Sequence, residues 1–365
     1  MSKKLNNYYY DIRVDLKNYP AAWCYIVVGG RNTGKTYSTL KMCYEDNKKF
    51  VFVKRTNEDV KLICAGSGKL GSKMASYGVD LSPFKSLNRD MNINVKAFLI
   101  FDGLGGFWKC DDENNPVGDP IGYIISLNSV TKVKGFDLSE CDYLIFDEFI
   151  PQPWERVSRK EGEMVLDLYK TISRAREHLD REALKLICLA NATSVSNPIT
   201  NILEVTDLLV EMDIIYADVR YLEDRAILIH KIIDSPEFYE KEKNSPIYKA
   251  MAGTQWADMA LENKFAYNDT SNVSRLNLKQ FQCLCKIRYK KHDYYVYFKE
   301  GQYYMTEKRS NHYSFEYDLN KENDQKRFWL ENGIDLRCEC INGNMLFDTY
   351  TMYDIIVNYK KFFII

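Results

Sequence analysis

Residues 23–36 read WCYIVVGGRNTGKT: an apolar run, a glycine-rich turn, and then a helical pattern from Tyr37 to Tyr44. Within it, Gly29-Gly30-Arg31-Asn32-Thr33-Gly34-Lys35-Thr36 matches G-x-x-x-x-G-K-[ST], the phosphate-binding P-loop. The flanks are those the motif requires, a buried strand before it and a helix after it. Glycines let the backbone curl so that successive N–H groups face phosphates, and the helix N-terminus adds its dipole. Lys35 is expected to reach the β- and γ-phosphates, and Thr36 to ligate Mg²⁺. The predicted ligand is therefore ATP with Mg²⁺.

A P-loop needs a partner that supplies carboxylates to the metal and the attacking water. YLIFDE (143–148) has the required form, an apolar strand ending in two acids. Asp147 is expected to hold Mg²⁺, and Glu148 to polarise water. An Asp-Glu pair points to hydrolysis through a glutamate base. LICLANATS (186–194) is a further buried strand that ends in small polar residues. Asn191 is the candidate sensor of the γ-phosphate, with Thr193 and Ser194 beside it. Arg174 and Arg176 lie late in a helical pattern over 161–178 that leads into this strand. A guanidinium placed there suits the stabilisation of transition-state charge. Arg31 could do the same within its own site, and Lys132 and Lys134 form another basic pair.

The remaining organisation follows from these anchors. The chain has 365 residues, 45% hydrophobic and 28% charged, enough for two domains with substantial cores. Composition excludes disordered, collagen-like and small disulfide-stapled chains. Apolar runs alternating with helical patterns predict an α/β fold with a mostly parallel sheet over 1–225. KKFVFVKR (48–55) and IGYIISL (121–127) are further strands. Residues 64–120, rich in Gly, Asn, Asp and Ser, read as loops with a hairpin inserted around AFLIF (97–101). Residues 226–272 read as a helical linker carrying Pro236 and Pro246. The segment 273–365 reads as a smaller β-rich domain, with turns at Lys291-His292 and Glu300-Gly301.

Lys and Arg total 50 against 51 Asp and Glu, so nucleic-acid contact must come from local patches. One candidate is Lys286, Arg288, Lys290 and Lys291 interleaved with Tyr289, Tyr294 and Tyr295; an ordinary solvated face reads the same way. The ten Cys show no framework spacing, which fits reduced thiols. Cys283-x-Cys285 and Cys338-x-Cys340, with His292 and His312, lack knuckle spacing. On strands their thiols would share a face, as core packing also requires. No stretch approaches 18 apolar residues, so no membrane span is expected.

In order, GGRNTGKT, LIFDEFI, the Arg174–Arg176 segment and LICLANATSVSNP resemble the DNA-packaging ATPases of phi-29-like short-tailed phages. The resemblance continues into GTQWADMALENKF (253–265) and the β-rich tail. It implies an additional-strand, catalytic-glutamate (ASCE) ATPase domain, followed by a degenerate RNase H-like nuclease domain. It further implies a homopentameric ring on the phage portal that drives double-stranded DNA into a procapsid in the host cytoplasm. Some members dock on a structural RNA. Carried over, Lys35, Thr36, Asp147 and Glu148 keep the roles above. Arg174 becomes a trans-acting arginine, and Lys134 a second basic residue at the subunit interface. No cluster of acids predicts nuclease activity in the tail. The alternatives are a helicase or recombination ATPase, and a slowly turning nucleotide-switched loader.

Overall fold

The computed structural model describes residues 9–66, 80–133, 135–152, 154–174, 176, 178, 181–232, 243–254, 257, 265 and 268–365. The chain folds into two compact units. The first runs to Glu155 and adds Glu163–Thr193 and Ile215–Ala266; the second takes Arg156–Gly162, Ser194–Ile214 and Tyr267–Ile365.

The first unit is built on a nine-stranded sheet of order β3-β4-β5-β2-β6-β7-β1-β9-β8, whose edge strand β8 (Val219–Leu222) pairs antiparallel with β9. Its centre comprises β5 (Pro116–Ser126), β2 (Phe50–Lys54), β6 (Tyr143–Asp147), β7 (Lys185–Asn191), β1 (Cys24–Gly29) and β9 (Ile227–Lys231). These pair in parallel from β5 through to β9. Their near-continuous apolar runs are what a sheet covered on both faces demands. β1 is buried at every position, and β7 at all but its two ends. The order places β7 between the P-loop strand β1 and the acid-ended strand β6. That inserted strand is the additional strand of the expected ATPase class. Helices α1 (Ile12–Asn18) and α2 (Lys35–Glu45) flank the sheet, and α3 (Asn57–Ile63) follows β2.

Residues 80–133 correct the loop reading of 64–120. Here β3 (Val95–Phe101), β4 (Leu104–Cys110) and β5 form an antiparallel meander joined to β2. Two of the glycines that suggest loops are packing positions within β4. A Cβ at Gly105 would lie 2.7 Å from Cys64 Sγ, and one at Gly106 would lie 2.6 Å from the Trp108 ring. Glycine weakens strand propensity, but it is what such close approach requires. Residues 67–79 lie outside the described residues.

The second unit holds a five-stranded sheet of order β13-β10-β11-β12-β14. β10 (Gln282–Tyr289), β11 (His292–Lys299) and β12 (Gln302–Thr306) are the expected meander. β13 (Phe315–Asp318) adds parallel to β10, and β14 (Met345–Phe347) adds parallel to β12. A meander with a fourth strand parallel to its first is the RNase H-like arrangement; β14 at the opposite edge departs from it. Glu300 and Gly301, at φ 47° and 84°, make the second turn as expected. The first turn falls one residue earlier than expected, on Lys290-Lys291. Helices Glu322–Phe328, Ile334–Ile341 and Tyr350–Ile356 pack on this sheet around Cys285, Ile287, Phe328, Leu336 and Ile355.

Residues 194–214, read from sequence as part of the first domain, are tied into this second unit. Asp207 accepts from the backbone N–H and hydroxyl of Thr351 at 2.7 Å each, and Ser196 donates to buried Asp354 at 2.8 Å. Much of the 226–272 segment, including most of GTQWADMALENKF, lies outside the described residues. Among the described residues no helix is long and apolar enough to cross a membrane.

Candidate nucleotide site

The parallel register assembles the site. Gly29 at the end of β1 pairs with Asn191 at the end of β7, so the sensor candidate sits beside the P-loop. Val53 pairs with Phe146, which sets Lys54 next to Asp147. The loop then turns through Asn32 at φ 60° and Gly34 at φ 88°, and Gly34 caps α2 in the left-handed conformation. Gly30 belongs to the same turn, its carbonyl accepting from Thr33 Oγ1 at 3.1 Å. A side chain at Gly34 would be strained there, because L-residues rarely adopt that backbone.

Lys35 is buried and folded back on its own loop. Its ammonium donates to the carbonyls of Gly29 (3.1 Å) and Gly30 (2.6 Å), to Thr33 Oγ1 (3.1 Å) and to Asn191 Oδ1 (3.4 Å). Burial pulls the Lys35 pKa down to about 8, and the Asp147 charge counters only part of that. Thr36 Oγ1 donates to Asp147 Oδ1 at 2.8 Å, so a hydroxyl and a carboxylate converge. That oxygen pair fits Mg²⁺, which takes few protein ligands and keeps several waters.

Glu148 follows with φ 59°, a left-handed backbone that costs a non-glycine residue energy and concentrates at functional sites. Its carboxylate is largely exposed and accepts from Lys54 Nζ at 3.0 Å, while Asp147 Oδ2 accepts from the same ammonium at 3.1 Å. Burial works against the Lys54 charge, but the two acids more than offset it and hold its pKa above the ordinary value. The sequence reading missed Lys54. A cation ending a buried strand, one position beyond an apolar run, was the available signal. A cavity of 790 Å³ opens here, and Arg31, Asp147, Glu148 and Asn191 line it together with the P-loop.

The other candidates lie apart from this cluster. The helix over Glu161–Ile172 ends before both arginines. Arg176 is 3% exposed and donates to Glu182 O (2.7 Å), Ser139 O (3.0 Å), Cys141 O and Asp142 Oδ1 (3.2 Å). Those partners precede β6 and β7, at the opposite strand ends from Asp147 and Asn191. Arg176 is thereby a structural hub. Arg174 is exposed near the same end; hydrogen bonds from Ser139 hold the Asp137 carboxyl below its ordinary value, and the charge of Arg174 adds to this. Lys132 pairs with Asp102 at 3.7 Å, and Lys134 lies outside the described residues. Thr193 is buried with its hydroxyl unpartnered.

The aromatic-basic face on β10 and β11 is not an open cationic surface. Lys286 pairs with Glu316 (3.0 Å) and Asp293 (3.3 Å), Arg288 with Asp293 (2.9 Å), and Lys291 with Glu204 (3.1 Å). Lys290 donates to Asn201 O, burial lowers its pKa to about 8, and Tyr294 and Tyr295 are buried. The second C-x-C lies on the helix Ile334–Ile341 and not on a strand, with Cys338 exposed and Cys340 buried. Among the described residues no cluster of three or more His, Cys, Asp or Glu side chains is placed to hold a metal.

An inserted strand beside the P-loop strand, an acid pair closing the neighbouring strand and the Thr36–Asp147 contact give the first unit the fold of an ASCE-type P-loop ATPase. Residues 115–333 match the model of the family described as Podovirus DNA encapsidation protein (Gp16), and the chain belongs to that family. It is 25% identical over 272 residues to the DNA packaging protein of Bacillus phage B103, covering 72% of this chain and 70% of that one. Its similarity to the DNA packaging protein of Bacillus phage phi29 is 21% over 244 residues, covering 66% of this chain and 61% of that one. The fold matches a chain of the bacteriophage Phi-29 viral genome packaging motor assembly with a TM-score of 0.59 at 18% identity, over 97% of this chain and 99% of that chain.

Proposed function

We propose that this protein is an ATP-driven double-stranded DNA translocase that packages a phage genome as a ring of identical subunits, five in the expected assembly. The ring would dock on the portal of a procapsid in the host cytoplasm, with or without a structural RNA. The observation that supports the reading is the convergence of Thr36 on Asp147 at 2.8 Å, which joins residues 111 apart in sequence into an oxygen pair suited to Mg²⁺. Family membership supplies the cargo.

In this reading Lys35 exchanges its four loop acceptors for the β- and γ-phosphate oxygens, whose negative charge favours its protonated form. Thr36 and Asp147 would hold Mg²⁺, which when bound neutralises charge on those oxygens. Glu148 orients and polarises the attacking water, with Lys54 fixing where its carboxylate rests. Asn191, already within reach of Lys35, reads the γ position. Arg174 acts on the neighbouring subunit's site, because within its own chain it lies near Asp137 and away from Asp147. Lys134 contributes a second cation at that interface. DNA would be held through its phosphates, without sequence preference.

The test separates binding from turnover. Lys35→Ala is expected to lose ATP binding. Glu148→Gln is expected to bind ATP normally and to lose about two to four decades of hydrolysis. Hydrolysis at the parental rate in Glu148→Gln would overturn the assignment.

A further inference from the structure

A phosphate loop works only if its peptide N–H groups face inward, and the peptide between Thr33 and Gly34 has no orientation of its own. Gly34 sits at φ 88°, and glycine populates positive and negative φ about equally. Turned over, that peptide would present the Thr33 carbonyl to the phosphates in place of the Gly34 N–H. The bonds at 3.1 Å from Thr33 Oγ1 to Gly30 O and from Lys35 Nζ to Thr33 Oγ1 engage the side chain and not this peptide. A restraint comes from outside the loop: Tyr10 donates its backbone N–H to the Thr33 carbonyl at 2.9 Å. A planar trans peptide carries its C=O and N–H on opposite sides, so the Gly34 N–H is directed away from Tyr10.

Tyr10 is itself locked in place. It is buried, its hydroxyl donates to Asp15 Oδ2 at 2.6 Å, and His230 Nδ1 lies 2.8 Å from the same oxygen. The Tyr10 and His230 rings meet edge to face at 5.2 Å. Asp15 is buried in the first turn of α1, and Asp11 caps that helix by accepting from Arg13 N at 3.1 Å. His230 pairs with Val27 across β9 and β1, so the anchor is tied to the strand that leads into the loop. Burial, and after it the charge of Asp15, push the Tyr10 pKa well up, which keeps its hydroxyl a donor.

We infer that Tyr10, Asp15 and His230 are positioning residues for the phosphates: by holding the Thr33 carbonyl outward, they keep the Gly34 N–H aimed at the triphosphate. The inference rests on the nucleotide reading of the site. It adds a control on phosphate affinity by residues that lie outside both the P-loop and the acid-ended strand. A hydrogen bond to a charged group contributes roughly 10- to 150-fold in affinity.

The experiment uses the full chain with Mg²⁺ and two probes, ATP and inorganic triphosphate. Calorimetry gives affinity and stoichiometry for wild type, Tyr10→Ala, His230→Ala and Lys35→Ala, and steady-state ATPase and thermal melts accompany it. Both anchor variants are expected to weaken ATP and triphosphate in parallel, by up to roughly 10- to 150-fold. The loss should fall on KM for ATP and not on kcat, because a bond made equally in ground and transition states is lost. His230 is less buried than Tyr10, so its variant keeps the test open where Tyr10→Ala fails to fold. A merely structural anchor would lower melting or stoichiometry at unchanged affinity, and that result overturns the inference. So does a loss of ATP affinity with triphosphate unaffected, which would place the effect at the nucleoside. Failure of the underlying nucleotide reading looks different: Lys35→Ala would then leave both ligands unaffected.

Discussion

Arg174 and Arg176 differ by two positions, yet the structure assigns them opposite consequences on substitution. Arg176→Ala removes a buried guanidinium and orphans the carbonyls of Cys141 and Glu182, while Ser139 O keeps its hydrogen bond from Arg181 at 3.3 Å. Each buried acceptor left unsatisfied costs about 1–3 kcal/mol, though water entering the space offsets part of the sum. Its ion pair with Asp142 adds little, since that carboxylate is partly exposed. A net loss of about 3–5 kcal/mol is expected, a large share of typical stability. At about 2–4 °C per kcal/mol for a domain of this size, melting should fall by on the order of 10 °C. Arg174→Ala should melt as wild type does. Its loss appears in turnover, by about three to five decades if it serves as the trans arginine. Mixing Arg174→Ala with Glu148→Gln subunits should then restore partial ATPase, because some interfaces pair an intact Glu148 with an intact Arg174. Thermal melts and steady-state ATPase on the two variants and the mixture check this. An Arg176→Ala protein as stable as wild type, or mixtures that stay inactive while rings form, would refute it.

Other consequences are equally direct. Lys35 must be charged to hold phosphate, and burial sets its pKa in the free protein to about 8, so ATP affinity should decline as pH rises through 8. Calorimetry in buffers of different ionisation enthalpy should show proton uptake on binding near that pH. Burial holds Asp354 protonated up to about 7, against an ordinary 3.8, a bias of about 4 kcal/mol. A raised acid stabilises the fold fully below about pH 4 and loses that contribution as pH rises through 7. Denaturant melts should therefore show wild-type stability falling between pH 4 and 7 relative to Asp354→Asn. Affinity for double-stranded DNA should follow log salt with a slope near −0.9 per neutralised phosphate, whatever the sequence; binding unchanged by salt would count against translocation.

The parts of the fold that could be read in advance were those where one chemistry admits one geometry. Residues 23–36 admit only a strand, a phosphate loop and a helix, and 143–148 only a buried strand ending in acids. What escaped was set by packing. Gly105 and Gly106 read as loop because glycine is a poor strand former, yet their missing side chains make room for Cys64 and Trp108. Arg174 and Arg176 cannot be separated by pattern, since only the tertiary fold turns one onto backbone carbonyls. Lys54 became visible only once the β2–β6 register set it against Asp147. The basic run on β10 read as a cationic face because Asp293, Glu316 and Glu204, which neutralise it, come from other segments.

The central claim is that hydrolysis at the Thr36–Asp147–Glu148 site drives double-stranded DNA into a procapsid. Its most direct measurement is the amount of nuclease-protected DNA recovered from procapsids incubated with DNA, ATP and either wild-type protein or Glu148→Gln. The account predicts that wild type fills procapsids in an ATP-dependent manner, while Glu148→Gln binds ATP and protects none. Packaging by Glu148→Gln at the wild-type rate would contradict it.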